Sequence, residues 1–471
     1  MTLPNLGWGG IVRLGLVQAC LGAIVVLTTS TLNRVMVVEL ALPALLPGLL
    51  VALHYLVQVT RPRMGFGSDM GGRRTPWIVG GMAVLATGGV LAAVGTAWMA
   101  SNRSAGIALA LLAFMLIGVG VSASGTSLLV LLAKRVETSR SAPAATIVWM
   151  MMIAGFAITA GTAGKLLDPY SPERLVAVTA AVSVLAWVVT LVALYRLEGT
   201  AVASAASSAM SPAARPAAGT EAEPEAKPSF TEALSQVWGE PAARRFTIFI
   251  FVSMLAYSAQ DLILEPFAGT VFGFTPGGST QLSGVQHGGV LAGMILVALV
   301  GHRFAGQALG SLRGWTVGGC LASAVALLGL VVAGFVGPAW PLQATVFALG
   351  AANGAFSIAA IASMMRMASE GRHAREGVRM GLWGAAQAVA FGLGGLVGTA
   401  ASDLARWLIG SPGAAYATVF AFEALLFVVS AVLAARLAPA ETATATASSS
   451  ERPEPLLSPR YGYPAVASDP R

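Results

Sequence analysis

Residues Met64–Trp77 read MGFGSDMGGRRTPW, a short charged segment pinned between two long apolar runs. Gly65, Asp69, Gly72, Arg73 and Arg74 give it the pattern G-x-x-x-D-x-x-G-R-R. Glycines permit tight turns beside lipid headgroups. Asp69 can accept hydrogen bonds from an arginine or from a helix N-terminus. Thr75-Pro76 then suits a helix start, with Thr75 as the cap and Pro76 in the first turn. Two readings follow: a latch whose ion pairs hold one conformation, or an anchor that only sets topology.

Working outward, the chain of 471 residues is 56% hydrophobic and 10% charged. An ordinary soluble domain carries about 25% charged residues, so this composition belongs in lipid. A bilayer core needs roughly 20 apolar residues per helix, and backbone groups in lipid must bond internally. The runs are rich in Ala, Leu, Val and Gly without period-two alternation, so helices are expected rather than a barrel. Twelve spans are predicted, over 11–33, 42–60, 77–99, 106–132, 144–166, 174–195, 246–271, 283–302, 314–335, 341–364, 377–401 and 414–435.

The expected organisation is a six-helix bundle over 1–198, a cytoplasmic linker over 199–240, a second six-helix bundle over 241–436 and a cytoplasmic tail over 437–471. Linker and tail are rich in Ala, Ser, Pro and Glu, which cannot bury a core, so both are expected to be largely disordered. Phe230–Val237 is a short amphipathic stretch suited to a membrane surface. With the N-terminus in the cytoplasm, only five Lys and Arg fall on the far side: Arg34, Arg103, Lys165, Arg174 and Arg406. This bias predicts both termini in the cytoplasm. The net charge of +7 then anchors loops and does not imply nucleic acid.

The halves echo each other. The first span ends in Asn33-Arg34 and, after an apolar run, Glu39; the seventh ends in Gln260-Asp261 and, after an apolar run, Glu265. Charges near bilayer depth cost several kcal/mol unless paired or wet. Residues five apart lie about 140° around an α-helix, so Arg34 and Glu39 are expected to pair poorly. Arg34 is instead expected to pair with Asp261 or Glu265 across the seam between halves. His54 lies inside the second span and His287 at the start of the eighth. Each imidazole needs a partner there, either a neighbouring helix or the magnesium of a chlorin. His302 and His373 sit with arginines in loops.

The Gly/Ala run Gly381–Gly398 permits close helix packing or a partner helix. Met150–Met152 beside Trp149 reads as core filler or as a soft surface for a flat pigment. Cys20 and Cys320 fall in apolar runs and read as small buried hydrophobes. No Gly-Lys-Ser/Thr phosphate loop occurs. No nucleophile–base constellation and no metal-ligand spacing stands out, so an enzyme is not expected.

The loop pattern resembles the one that follows the second helix in the major facilitator superfamily. That likeness implies an all-α integral membrane protein with twelve transmembrane helices in two six-helix halves. Four further segments are Thr31–Leu40 (TLNRVMVVEL), Leu45–Gly48 (LLPG), Gln260–Phe267 (QDLILEPF) and Met380–Gln387 (MGLWGAAQ). Together they resemble the PucC/LhaA family, the bacteriochlorophyll delivery branch of that superfamily. The resemblance covers residues 11–435 and implies an assembly factor for photosynthetic light-harvesting complexes in the intracytoplasmic membrane. That membrane is part of the bacterial inner membrane, and the implied cargo is bacteriochlorophyll or a precursor. Its implied partners are antenna polypeptides and enzymes of bacteriochlorophyll synthesis, beside the lipid bilayer. The rival reading is a proton-coupled exporter of a small lipophilic compound, with Asp261 or Glu265 titrating.

Overall fold

The computed structural model describes residues 6–58, 74–137, 140–198, 235, 238–303, 311–370 and 376–437. These are all helix and connection, with no strand among them. The helices are α1 (Trp8–Glu39), α2 (Leu45–Val57), α3 (Thr75–Trp98), α4 (Arg103–Arg135), α5 (Ser141–Leu167) and α6 (Pro172–Leu194). The second half supplies α7 (Pro241–Phe272), α8 (Pro276–Arg303), α9 (Leu312–Val336), α10 (Leu342–Glu370), α11 (Glu376–Ile409) and α12 (Pro412–Ala435). Eleven of them are long and apolar enough to cross a membrane, and α2 is a shorter apolar helix of 13 residues. Each of the twelve predicted spans falls on one helix.

Local chemistry sets the ends. Asn102 caps α4 by accepting from the Ala105 N–H at 3.1 Å, and Ser171 caps α6 by accepting from the Arg174 N–H at 3.1 Å. Pro172, Pro241 and Pro412 stand in first turns, where a missing N–H costs nothing. Gly273 ends α7 with φ +70°, a left-handed conformation that glycine adopts without strain. Thr75, expected as the cap of α3, is instead its first helical residue. The cap comes from Glu198, just beyond α6: its carboxylate accepts the Arg74 N–H at 2.7 Å, the Thr75 N–H at 2.9 Å and the Thr75 hydroxyl at 2.7 Å.

Two apolar cores form, one from the first six helices around Leu14, Ile24, Met82 and Phe114, the other from the last six around Phe249, Phe267, Phe356 and Phe427. Helix neighbours repeat between halves. The pairs α1–α5, α2–α4, α3–α4 and α3–α6 match α7–α11, α8–α10, α9–α10 and α9–α12. Across the seam α5 packs on α8 and α2 packs on α11, one related pair on each side.

Small residues bring these helices together. A Cβ on Gly164 of α5 would stand 2.6 Å from the Gly277 carbonyl oxygen of α8, and one on Gly398 of α11 would stand 3.0 Å from Ala259 of α7. The glycines at 394, 395 and 398 therefore serve packing inside the molecule. Met152 takes a hydrogen bond from Gln18 on its sulfur at 3.2 Å, Met151 packs on Gly15, and Met150 joins an apolar cluster shared by α5, α8 and α10. Cys20 and Cys320 are buried free thiols. Of the loop pattern only Arg74 is described; Gly65, Asp69, Gly72 and Arg73 lie outside the described residues. So do residues 199–234, His373, the tail from 438 and all of 230–237 except Ser235.

Candidate functional site

The seam between halves concentrates polar side chains at the end of the bundle where α1 finishes, and the backbone of α1 is unusual there. Leu27–Thr31 and Val35–Glu39 are π-helical turns. The hydroxyls of Thr28 and Thr29 both donate to the Val25 carbonyl, at 2.8 and 3.0 Å. Such back-bonding competes with the regular helix ladder. A π-turn bonds residue i to i+5, seen here as Leu40 N–H to Val35 O at 3.0 Å. It brings residues five apart onto one side.

Arg34 therefore reaches Glu39, with Nη1 donating to Oε1 at 2.6 Å. The expected poor pairing of these two assumed α-helical geometry, and the π-turn removes that premise. The expected ion pair from Arg34 to Asp261 or Glu265 does not form among the described residues. Arg34 still bridges the seam, because Nη2 donates to the Phe274 carbonyl just past α7 at 2.7 Å. Gly269 of α7 makes room, since a Cβ there would lie 2.8 Å from the guanidinium.

Asn33 crosses the seam for a different reason. Pro266 lies inside α7 and has no N–H, so the Leu262 carbonyl four residues earlier lacks its helical donor. Asn33 Nδ2 donates to that oxygen at 2.5 Å. Beside it, Ser30 and Ser283 hydroxyls meet at 3.2 Å, and Thr31 and Thr280 hydroxyls at 3.0 Å.

Two acids missed by the sequence reading complete the layer. Asp403 of α11 accepts the Ala44 and Leu45 N–H groups at the start of α2, at 3.0 and 2.8 Å. Asp168, just past α5, accepts the Thr275 hydroxyl at 2.9 Å, and that hydroxyl accepts the Gly278 N–H at the start of α8 at 3.0 Å. The available signal was their place at the same end of equivalent spans.

On α7, Asp261 accepts from Gln286 Nε2 of α8 at 3.2 Å. Glu265 is 1% exposed, lies beside Ser30, Ser283 and Arg34, and makes no well-formed hydrogen bond among the described residues. The Gln260 amide is likewise buried without a partner, as is the carboxyl of Glu423 on α12, which sequence reasoning did not single out. Buried polar groups without partners are uncommon in folded proteins.

The two candidate histidines differ in what their rings can offer. His54 is buried, with Nε2 2.9 Å from Gln58 Nε2; an amide nitrogen only donates, so His54 Nε2 accepts and is occupied. His287 is buried with Nδ1 2.8 Å from the Ser283 carbonyl oxygen. A carbonyl only accepts, so Nδ1 carries the proton and Nε2 keeps its lone pair. Among the described residues nothing bonds to that Nε2. The ring meets Phe156 of α5 edge-on, centroids 4.9 Å apart. The side chain of His302 lies outside the description. No His/Cys/Asp/Glu cluster suited to a bare metal ion occurs among the described residues.

At the opposite end, Glu198 ties α6 to the start of α3. Burial raises the pKa of its carboxyl, but the N–H groups of Arg74 and Thr75 and the Thr75 hydroxyl outweigh burial and hold it below the usual glutamate range.

Among the described residues, twelve helices in two matching halves, joined by α2–α11 and α5–α8, give this membrane protein the major facilitator fold. A D-xylose–proton symporter shares the fold with a TM-score of 0.66 at 12% identity, covering 92% of this chain and 98% of that one. The chain belongs to the PucC family, since the PUCC protein profile matches residues 31–442. It is 51% identical to the "Bacteriochlorophyll synthase 44.5 kDa chain" of Rhodobacter capsulatus, over 91% of this chain and 95% of that protein. It is 30% identical to "Protein PucC" of the same organism, over 91% and 92%.

Proposed function

We propose that this protein is a membrane assembly factor for photosynthetic light-harvesting complexes, handling bacteriochlorophyll or a precursor and delivering it to antenna polypeptides. The observation that carries the reading is the 51% identity, over nearly the full length of both chains, to a protein named for bacteriochlorophyll synthesis. That name alone describes a synthase chain, but the residues here favour a carrier. The buried polar groups cluster at a seam between two helical halves, and no nucleophile–base pair stands out among the described residues. In this proposal an enzyme of pigment synthesis is a partner of this chain.

The proposed mechanism uses the seam. A chlorin or an antenna helix docks against apolar surface, with one ligand or hydrogen bond fixing orientation. The seam contacts bias the bundle between two states, and cargo that binds one state better shifts that balance. The charge bias of the loops supports both termini in the cytoplasm, and the family likeness supports placement in the bacterial inner, intracytoplasmic membrane.

Purification in mild detergent tests the reading. Co-purifying bacteriochlorophyll or antenna polypeptides is the expected result. A clean protein without either, together with normal antenna in a deletion strain, would overturn it. The exporter reading is favoured by one observation, the Glu265 carboxyl buried at the seam. Under it, Glu265→Gln vesicles lose a substrate gradient while antenna assembly stays intact.

A further inference from the structure

The geometry points to His287, and not His54, as the residue that would hold the central magnesium of a chlorin. The inference rests on the pigment-handling reading above and adds the atom that does the holding, His287 Nε2.

A metal-ligating imidazole needs three things: a neutral ring, a fixed tautomer and an open nitrogen. The second is usually supplied by the other ring nitrogen donating to a carbonyl or carboxylate, which also raises ligand basicity. His287 has this arrangement, with Nδ1–H on the Ser283 carbonyl at 2.8 Å and a secondary contact to the Ser283 hydroxyl at 3.5 Å. Its Nε2 has no hydrogen-bond partner among the described residues. His54 lacks the third requirement, because Gln58 occupies its Nε2 at 2.9 Å.

The surroundings of His287 suit a flat apolar ring. Phe156 stands beside it, and Ile153, Val290 and Met294 form an apolar cluster against which Met152 packs. Two glycines border this region, Gly288 next in sequence and Gly161 on α5. A Cβ at either would meet nothing within 4 Å. Ser283 also touches Ser30 of α1, so the imidazole is one helical turn from the polar layer that joins the halves. Cargo bound here would bear on that layer directly.

The test adds bacteriochlorophyll a to the purified full-length chain in detergent and reads affinity together with the resonance Raman marks of magnesium coordination. Wild type is expected to bind with one nitrogen ligand. His287→Ala is expected to bind roughly tenfold or more weakly and lose the nitrogen-ligand signature, with free imidazole restoring it. His54→Ala is expected to match wild type. A chain that retains only His287, with His54, His302 and His373 each changed to Gln, guards against misfolding of the alanine variant. Labelled with nitrogen-15 histidine, it should show its single Nε2 resonance shift on pigment addition. Equal binding and equal signature in wild type and His287→Ala, or no shift in the single-histidine chain that binds pigment, would overturn the ligand while leaving the pigment reading standing. A wild-type chain that binds no chlorin would overturn both.

Discussion

Asp168 and Asp403 occupy matching places in the two halves. Each carboxylate lies at the same end of an equivalent helix, α5 or α11, and receives the start of a helix from the opposite half, α8 or α2. The pseudo-twofold thus places one acid on each side of the seam. Asp403 takes two backbone N–H groups directly, whereas Asp168 works through the Thr275 hydroxyl.

That difference predicts unequal costs. Asp403→Ala strips two open N–H groups of their acceptor and should cost about 1–2 kcal/mol. Asp168→Ala leaves Thr275 in place as the cap of α8 and should cost less. Thermal midpoints in one detergent compare them; equal losses would refute the account.

Arg34 and Glu39 give a second test. The side chain of Arg34 is 3% exposed and that of Glu39 35%. Removing Glu39 strands a buried guanidinium, the costly case for an ion pair, on the order of 3 kcal/mol before discounting for the half-open partner. Glu39→Ala should therefore lower the midpoint more than the double change Arg34→Met with Glu39→Leu. A double variant less stable than Glu39→Ala would reject this.

Pro266 and Asn33 should be coupled. In wild type Asn33 supplies the donor that Pro266 denies to Leu262, so Asn33→Ala should cost about 1 kcal/mol. With Pro266→Ala the helix supplies its own N–H, and the loss on Asn33→Ala should shrink. A double-mutant cycle of unfolding free energies measures the difference; additive costs would deny the coupling.

Glu198 predicts a pH dependence. Burial raises its pKa, the Arg74 and Thr75 donors lower it by more, and the folded value lies below the ordinary glutamate value, which is about 4.3. Folding therefore favours the ionised form. The stabilisation is complete above the ordinary value and fades as pH falls through the depressed folded value. Thermal midpoints of wild type and Glu198→Gln should diverge most at neutral pH and converge below about pH 4. A gap that stays constant with pH would count against the carboxylate as the cap.

Hydrophobic runs fixed the twelve helices, because crossing a bilayer is a local demand met residue by residue along the chain. The loop at Met64–Trp77, through its likeness to the major facilitator pattern, pointed to two six-helix halves. The same local logic marked Asn33, Arg34, Asp261 and Glu265 as charges and amides that need partners.

Which partners they take was decided only in three dimensions. Arg34 found Glu39 because α1 widens into π-turns, and no α-helical wheel contains that geometry. Asn33 found Leu262 because a proline on another helix left a carbonyl open. Glu198 and Asp403 cap helices more than a hundred residues away in sequence, and His54 and His287 were equal candidates until their ring nitrogens met Gln58 and the Ser283 carbonyl. Hydropathy is a sum over neighbours in sequence and survives without coordinates. Hydrogen bonds depend on direction at the scale of an ångström, and only the packed helices supply it.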